Sequence, residues 1–191
     1  MNQNVMIVGV GGQGSLLASK MLGHVVMQAG YDVKVSEVHG MSQRGGSVVT
    51  YVRYSDETVW IPVINEGEAD IIISFELLEA ARWVGFLKKG GTLVVNDQKI
   101  APMPVIMGNA QYPEDIAEKL RELGVNLKIF DALHLAEEAG SAKAANVVLM
   151  GAVANAMDFP EEMWQKALEE CVPPKFLELN RKAFALGRAQ K

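Results

Sequence analysis

The stretch VMIVGVGGQG, residues 5–14, decides the fold. Its first part is a short apolar run that leads into glycine, a pattern typical of a buried parallel strand. Beyond it, apolar residues recur at steps of three and four from Leu17 to Ala29, and Gly30 follows where a helix C-terminal cap belongs. The stretch therefore predicts a β-strand, a tight glycine turn and an α-helix in succession.

The alternation of strand and helix patterns continues along the chain. Further strands are predicted at residues 31–37, 47–55, 70–75, 92–97 and 126–132. The segments SVVTYVRYS and ETVWIPVI, residues 47–55 and 57–64, predict a β-hairpin. Helices are predicted at residues 77–89, 113–123 and 142–157, and two more begin near Pro160 and Pro174. This order predicts an α/β fold: a Rossmann-like mixed, mostly parallel sheet flanked by helices, with a β-hairpin insertion and C-terminal helices.

Length and composition are typical of one globular domain. The chain has 191 residues, 49% of them hydrophobic and 21% charged, which favours neither disorder nor a fibrous repeat. The net charge of -5 provides no basic surface of the kind that nucleic-acid binding needs. The sequence shows no signal-peptide pattern, and no apolar run reaches the ~18 residues of a membrane span. We therefore expect a cytoplasmic protein without nucleic-acid or membrane partners.

The polar residues outside the glycine-rich segments suggest structural roles. Cys171 is the single cysteine, which excludes an internal disulfide and a zinc site or iron–sulfur cluster held by this chain alone. It lies near the end of an amphipathic helix and is predicted to pack as a small hydrophobe. His134 has no second metal ligand at helical spacing, so we predict a structural role for it as well. Asn146, on an otherwise apolar helix, should find a hydrogen bond in the core or beside a ligand.

The turn after the first strand is the first candidate site. It consists of Gly9, Val10, Gly11, Gly12, Gln13 and Gly14, and matches the pattern G-x-G-x-x-G. Backbone N–H groups at a helix N-terminus can hold an anion, with no Cβ in the way. An NAD site would also need an acid after the second strand, where Glu37 leads straight into a polar loop. Phosphate binding, an NAD site and close strand–helix packing all remain open for this turn.

A polar loop, residues 39–46, follows the second strand. Its candidate ligand-contacting residues are His39, Ser42, Gln43, Arg44, Gly45 and Gly46. The Arg44 guanidinium is a planar, permanently charged fork that suits a carboxylate or phosphate, and consecutive glycines allow close backbone approach. His39 and Ser42 can donate to or accept from nearby oxygens. We expect this loop to contact a ligand or a partner beside the glycine turn, in preference to being a solvated surface loop.

The motifs GVGGQG and SEVHGMSQRGGSV, with the later helix AANVVLMGA, resemble the small gamma-type chain of the 2-oxoacid:ferredoxin oxidoreductases. The HGMSQRGG form is most similar to the indolepyruvate-type members. Chains for pyruvate or branched oxoacids have Tyr-Gly-x-Glu-x-Arg-Gly-Gly there, whereas this sequence has His39, Gly40, Met41, Ser42 and Gln43 before the Arg-Gly-Gly. The resemblance spans nearly the whole chain and implies a single pyruvate/ketoisovalerate oxidoreductase gamma-type catalytic domain over residues 1–191.

The resemblance implies a reaction to which this chain contributes a part. An arylpyruvate loses CO2 on thiamine diphosphate, electrons pass through [4Fe–4S] clusters to ferredoxin, and the acyl group passes to coenzyme A. Thiamine diphosphate, Mg and the clusters are expected in a large alpha subunit, in a heterodimer or a dimer of heterodimers. The glycine turn and the polar loop are expected to contact CoA, and no residue is assigned a proton-transfer role. The alternatives are an independent NAD- or FAD-binding oxidoreductase and a non-catalytic docking subunit.

Overall fold

A computed structural model describes residues 2–40 and 45–190, which form a six-stranded sheet with helices on both faces. The strands are β1 (Asn2–Val10), β2 (Asp32–His39), β3 (Ser47–Ser55), β4 (Ala69–Ser74), β5 (Leu87–Asn96) and β6 (Asn126–Phe130). The helices are α1 (Ser15–Gln28), α2 (Leu77–Trp83), α3 (Met103–Ile106), α4 (Ile116–Glu122), α5 (Ala132–Ala139), α6 (Ala145–Ala154), α7 (Glu161–Cys171) and α8 (Leu177–Arg188). The predicted α/β class and the mixed, mostly parallel sheet are confirmed.

The strand order β2-β3-β1-β4-β5-β6 brings the candidate segments to one edge of the sheet. β1, β4, β5 and β6 are parallel, and β3 is antiparallel to both β1 and β2, so β2 points the same way as β1. The glycine turn therefore follows β1 at the same edge at which β2 ends and β3 begins. Open α/β sheets bind their ligands outside this carboxyl edge.

The antiparallel hairpin has a different partner from the predicted one. β3 pairs with β2 from Asp32↔Ser55 to His39↔Val48, whereas residues 57–64 form no strand. Both edges of β3 are already occupied by β1 and β2, so β3 has no free edge with which the following segment could pair. Side chains attach it instead: Val59 N donates to Asp32 Oδ2 (2.7 Å), and Arg53 Nη1 donates to Val63 O (2.9 Å).

Two helices are shorter than predicted. α2 ends at Trp83, and a 3-10 turn over Val84–Phe86 leads directly into β5. Leu87 already pairs with Ala69, so the lysines that follow it extend a strand and do not cap a helix. α4 begins at Ile116, later than the proline expected at its first position, because Asp115 adopts a left-handed conformation (φ 59°) immediately before it.

The core lies on both faces of the sheet, as strands with side chains alternating between two buried faces require. One face of β1 packs with Ile7 against α1, α6, α7 and α8, where Trp164 and Phe184 are fully buried. The other face packs with Met6 against α2 and α4. Residues 146–154 of α6 are all buried, as its uniformly apolar sequence predicts. In the described ranges, no helix has the length and apolar character needed to cross a membrane.

Candidate functional site

The glycine turn needs its glycines for two separate physical reasons. Gly12 and Gly14 have φ values of +99° and +90°, a backbone region that residues with a Cβ rarely adopt. A Cβ on Gly14 would lie 2.5 Å from Asn146 Nδ2, and one on Gly9 would lie 2.9 Å from Phe75 Cβ. A Cβ on Gly12 would meet only open space in the described part of the chain. Close packing therefore accounts for Gly9 and Gly14, whereas Gly12 faces the exterior of the turn.

Asn146 anchors the glycine turn from the buried helix α6. Its Nδ2 donates to Gly14 O (3.2 Å), and its Oδ1 accepts from Val147 N (2.9 Å). The predicted hydrogen bond of this buried asparagine is therefore present, and its acceptor is the backbone of the turn itself. This contact fixes the N-terminus of α1 against the core.

Gln13 bridges β1 and β4. Its Oε1 accepts from Val10 N (2.8 Å), and its Nε2 donates to Phe75 O (3.1 Å). Asn96 Nδ2 donates to the same carbonyl (3.1 Å). The strand order reverses between β1 and β4, and doubly wound folds bind dinucleotides in the crevice at that point. The Gln13 side chain crosses that crevice, so the geometry disfavours an NAD site at the turn.

A groove of about 420 Å³ lies on the outer side of the turn, and is called here the turn groove. Its lining residues are Gly11, Gly12, Gly14, Ser15, Leu16, Glu37, His39 and Val48. The groove brings the glycine turn together with His39 at the end of β2, as the two motifs predicted. Ser42, Gln43 and Arg44 lie outside the described residues. Gly45 and Gly46 line a neighbouring cavity.

The polar groups of the turn groove have opposite preferences for an anion. Gly14, which lines the groove, caps α1 without a side-chain hydrogen bond, and the first N–H groups of a helix have no partner within it. Glu37 lies beside the first residue of the same helix, where its Oε2 accepts from Ser15 Oγ (3.2 Å) and from Thr50 Oγ1 (3.0 Å). The exposed His39 has its Nδ1 3.0 Å from Gly40 O, which leaves Nε2 directed elsewhere. An anion is therefore favoured on the glycine side of the groove and disfavoured beside Glu37.

A second cavity, of about 480 Å³, lies on the other side of Gly45 and Gly46, and is called here the α2 cavity. Its floor contains two buried acids, Glu76 and Glu79, with 1% and 4% exposure. Burial raises the pKa of Glu76, although its Oε2 accepts a hydrogen bond from Tyr112 Oη (3.0 Å). Neither acid belongs to the glycine turn or to the polar loop that the sequence motifs indicated. The sequence feature that could have indicated them is the pair of acids in FELLE, residues 75–79, at the junction of an apolar strand and a helix.

The end of the polar loop separates the two cavities. Gly45 has a φ of +75°, and Gly11 N donates to Gly46 O (2.9 Å), so the loop and the glycine turn are bonded to each other. Ser47, the first residue of β3, donates through its Oγ to the Glu79 carboxylate. The two predicted glycine segments thus form one connected structure at the carboxyl edge.

The remaining candidates lie away from this edge. Cys171 is half-buried at the end of α7 and packs against the core, where burial raises the pKa of its thiol. Its predicted packing role is confirmed. The prediction that His134 has no possible second ligand at helical spacing was wrong, because Glu138 is four residues further along α5. His134 is exposed, and its Nε2 lies 3.7 Å from Glu138 Oε1. Across residues 2–40 and 45–190, no cluster of three or more His, Cys, Asp or Glu side chains is arranged to hold a metal ion.

The fold and the site define an α/β domain of the Rossmann-like class, with a glycine turn and a polar loop at the carboxyl edge of its sheet. The family model described as pyruvate ferredoxin/flavodoxin oxidoreductase matches residues 4–190. The chain belongs to this family, as the sequence resemblance predicted.

Individual relatives agree with this assignment. The chain is 47% identical over 189 residues to indolepyruvate oxidoreductase subunit IorB of Thermococcus kodakarensis, covering 96% of this chain and 93% of that protein. It is 41% identical over 194 residues to the IorB subunit of Archaeoglobus fulgidus, covering 100% and 96%. The crystal structure of the keto/oxoacid ferredoxin oxidoreductase gamma subunit from Geobacter sulfurreducens matches with a TM-score of 0.71 and 25% identity, covering 97% and 95%.

Proposed function

We propose that this chain, as one gamma-type domain over residues 1–191, is the small subunit of an arylpyruvate:ferredoxin oxidoreductase and binds coenzyme A in the turn groove. The complex would convert an arylpyruvate to the aryl-acetyl-CoA by oxidative decarboxylation and reduce ferredoxin, a reaction of amino-acid catabolism. The similarity to indolepyruvate oxidoreductase subunits supports this substrate class. The turn groove carries the assignment of CoA to this chain, because it combines open space with the uncapped N-terminus of α1.

The division of labour between subunits follows from the residues of this chain. A [4Fe–4S] cluster needs about four thiolate ligands, and the chain has one cysteine. We therefore propose that a large alpha subunit carries the clusters, thiamine diphosphate and Mg, and delivers electrons to ferredoxin. Thiamine diphosphate supplies carbanion stabilisation in such reactions. The small subunit would bind and orient CoA beside that centre.

The proposed CoA contacts come from both glycine segments. Backbone N–H groups of Gly12 and Gly14 would hold phosphate oxygens, while Gly9, Gln13 and the bond from Gly11 N to Gly46 O keep the turn in shape. Leu16 and Val48 add apolar surface to the same groove. From the polar loop we propose contacts by His39, Ser42, Gln43, Arg44, Gly45 and Gly46. The Arg44 guanidinium would form a charge-assisted pair with a phosphate.

The association of the two subunits should be stable. Permanent complexes commonly bury more than about 2,000 Å² of surface. We propose a heterodimer or a dimer of heterodimers, with the polar loop on the side of the large subunit. In the alternative of a docking subunit, the loop would contact the partner and no CoA.

A charge placed in the turn groove tests the CoA assignment. In the assembled complex, Leu16→Glu is expected to raise the KM for CoA about tenfold, because the new carboxylate repels the phosphates at short range. Leu16 is 66% exposed at the start of α1, where an acid also suits the helix macrodipole, so the fold should tolerate the change. Steady-state kinetics with CoA and arylpyruvate varied separately measure the effect.

Met27→Glu is the matched control, because Met27 is 53% exposed near the opposite end of the same helix. It should leave the KM for CoA within about twofold of wild type. If Leu16→Glu also leaves this KM unchanged in an intact complex, CoA does not bind in the turn groove. If Leu16→Glu weakens subunit assembly while CoA dependence stays normal, the docking alternative is favoured instead.

A further inference from the structure

Glu79 is a buried carboxylate beneath the end of the polar loop, and its hydrogen-bonding capacity is largely used. It accepts from Ser47 Oγ and from Trp83 Nε1 (3.2 Å), and its Oε1 lies 3.2 Å from Arg82 Nε. Its side chain is 5% exposed. The position of Glu79 is itself fixed, since its N–H donates to the carboxylate of Glu76, the N-cap of α2. Such a network gives Glu79 a single orientation.

Ser47 links Glu79 to the glycine turn. It directly follows Gly46, whose carbonyl accepts from Gly11 N (2.9 Å). The chain at this point is therefore bonded on one side to α2, through the Ser47 hydroxyl, and on the other side to the turn after β1. Gly11 lines the turn groove, whereas Glu79 lines the α2 cavity, so the path joins the two cavities.

We propose that Glu79 is a positioning residue: through Ser47 it holds the Gly46 carbonyl against the Gly11 N–H and so sets the geometry of the turn groove. Glu79 lies in the α2 cavity and does not line the turn groove, so it would act on the ligand through these two bonds. The inference deepens the proposed function and rests on it for the identity of the ligand. The same bonds fix the C-terminal end of the loop that carries Arg44.

The experiment removes one hydroxyl and follows two readouts. Ser47→Ala in the full chain is expected to speed hydrogen exchange of the Gly11 amide about tenfold, measured by NMR, because a charge-assisted bond is lost. In the assembled complex, the same change should raise the KM for CoA several-fold more than it lowers kcat. Ser47→Thr keeps the hydroxyl and should preserve both values. Glu79→Gln removes the charge and should change both in the same direction as Ser47→Ala.

Ser55→Ala is the control for general loss of stability. Ser55 is at the opposite end of β3, where its Oγ accepts from Glu57 N (3.0 Å). It should leave the Gly11 amide and the KM for CoA unchanged. Unchanged Gly11 exchange in Ser47→Ala, or equal acceleration in Ser55→Ala, overturns the inference. Faster Gly11 exchange in Ser47→Ala alone, with an unchanged KM for CoA, supports the positioning role and refutes CoA as the ligand of the turn groove.

Discussion

The chain alone is expected to show no turnover of indolepyruvate or another arylpyruvate, and adding the large subunit is expected to restore CoA-dependent reduction of a viologen dye. The physical reason is that one cysteine cannot hold a [4Fe–4S] cluster. Decarboxylation and electron transfer would then depend entirely on groups in the partner. Enzymes typically accelerate reactions by at least about 10⁶-fold. The mixture of subunits should therefore show turnover, and the small chain alone should show no detectable turnover.

The assay compares this chain, the large subunit and their mixture after anaerobic purification. The small chain should be colourless, and its activity in the mixture should saturate at a fixed subunit ratio. Measurable turnover by the small chain, or an iron–sulfur absorbance spectrum from it, would contradict the division of labour. A mixture that reduces the dye equally well without CoA would contradict the assigned co-substrate.

Gly187→Ala is expected to destabilise the fold by about 3 kcal/mol or more, because overpacking against a backbone has no easy relaxation. α6 and α8 approach so closely that a Cβ on Gly187 would lie 1.9 Å from Val148 O. A Cβ on Gly151 would lie 2.1 Å from Phe184 O. Either alanine must push two helices apart. For a chain of this size, the loss corresponds to a Tm decrease of roughly 6–12 °C.

Gly23→Ala is the matched control within a helix. Gly23 is buried in α1, but apart from its chain neighbours and the backbone of its own helix, a Cβ there would meet no described atom within 4 Å. Alanine should stabilise this helix by about 0.5–1 kcal/mol, since glycine has the higher conformational entropy in the unfolded chain. Urea unfolding of both variants measures the difference. A Gly187→Ala variant within about 1 kcal/mol of wild type would refute the close approach of α6 and α8.

The sequence predicted the parts of the fold that depend on local pattern. The apolar run before the glycine turn and the periodic helix after it correspond to β1 and α1. Residues 57–64 have a strand-like composition, but strand formation also requires a free neighbour, and β3 is already paired on both sides. Composition alone could not show that β3 pairs with β2 instead.

For the candidate site too, the sequence predicted only those features that a local pattern indicates. The glycine pattern and His39 predicted a shared rim, because strand direction places both at one edge. The bond between Ser47 and Glu79 joins residues 32 positions apart in the sequence, so no local pattern indicates it. The bridging role of Gln13 could not be predicted from the sequence either, because its hydrogen bond to Phe75 O depends on which strand lies beside β1.

Hydrogen exchange of the assembled complex, with and without saturating CoA, tests most directly whether this chain binds CoA at its glycine turn. Peptides that cover residues 9–17 and 37–48 should exchange more slowly when CoA is bound, because backbone N–H groups of the turn would be bonded to phosphate oxygens. A peptide from α7 should serve as the unchanged reference. If CoA saturates the complex and protects other peptides while residues 9–17 exchange at the same rate, CoA binds elsewhere and the central proposal is wrong.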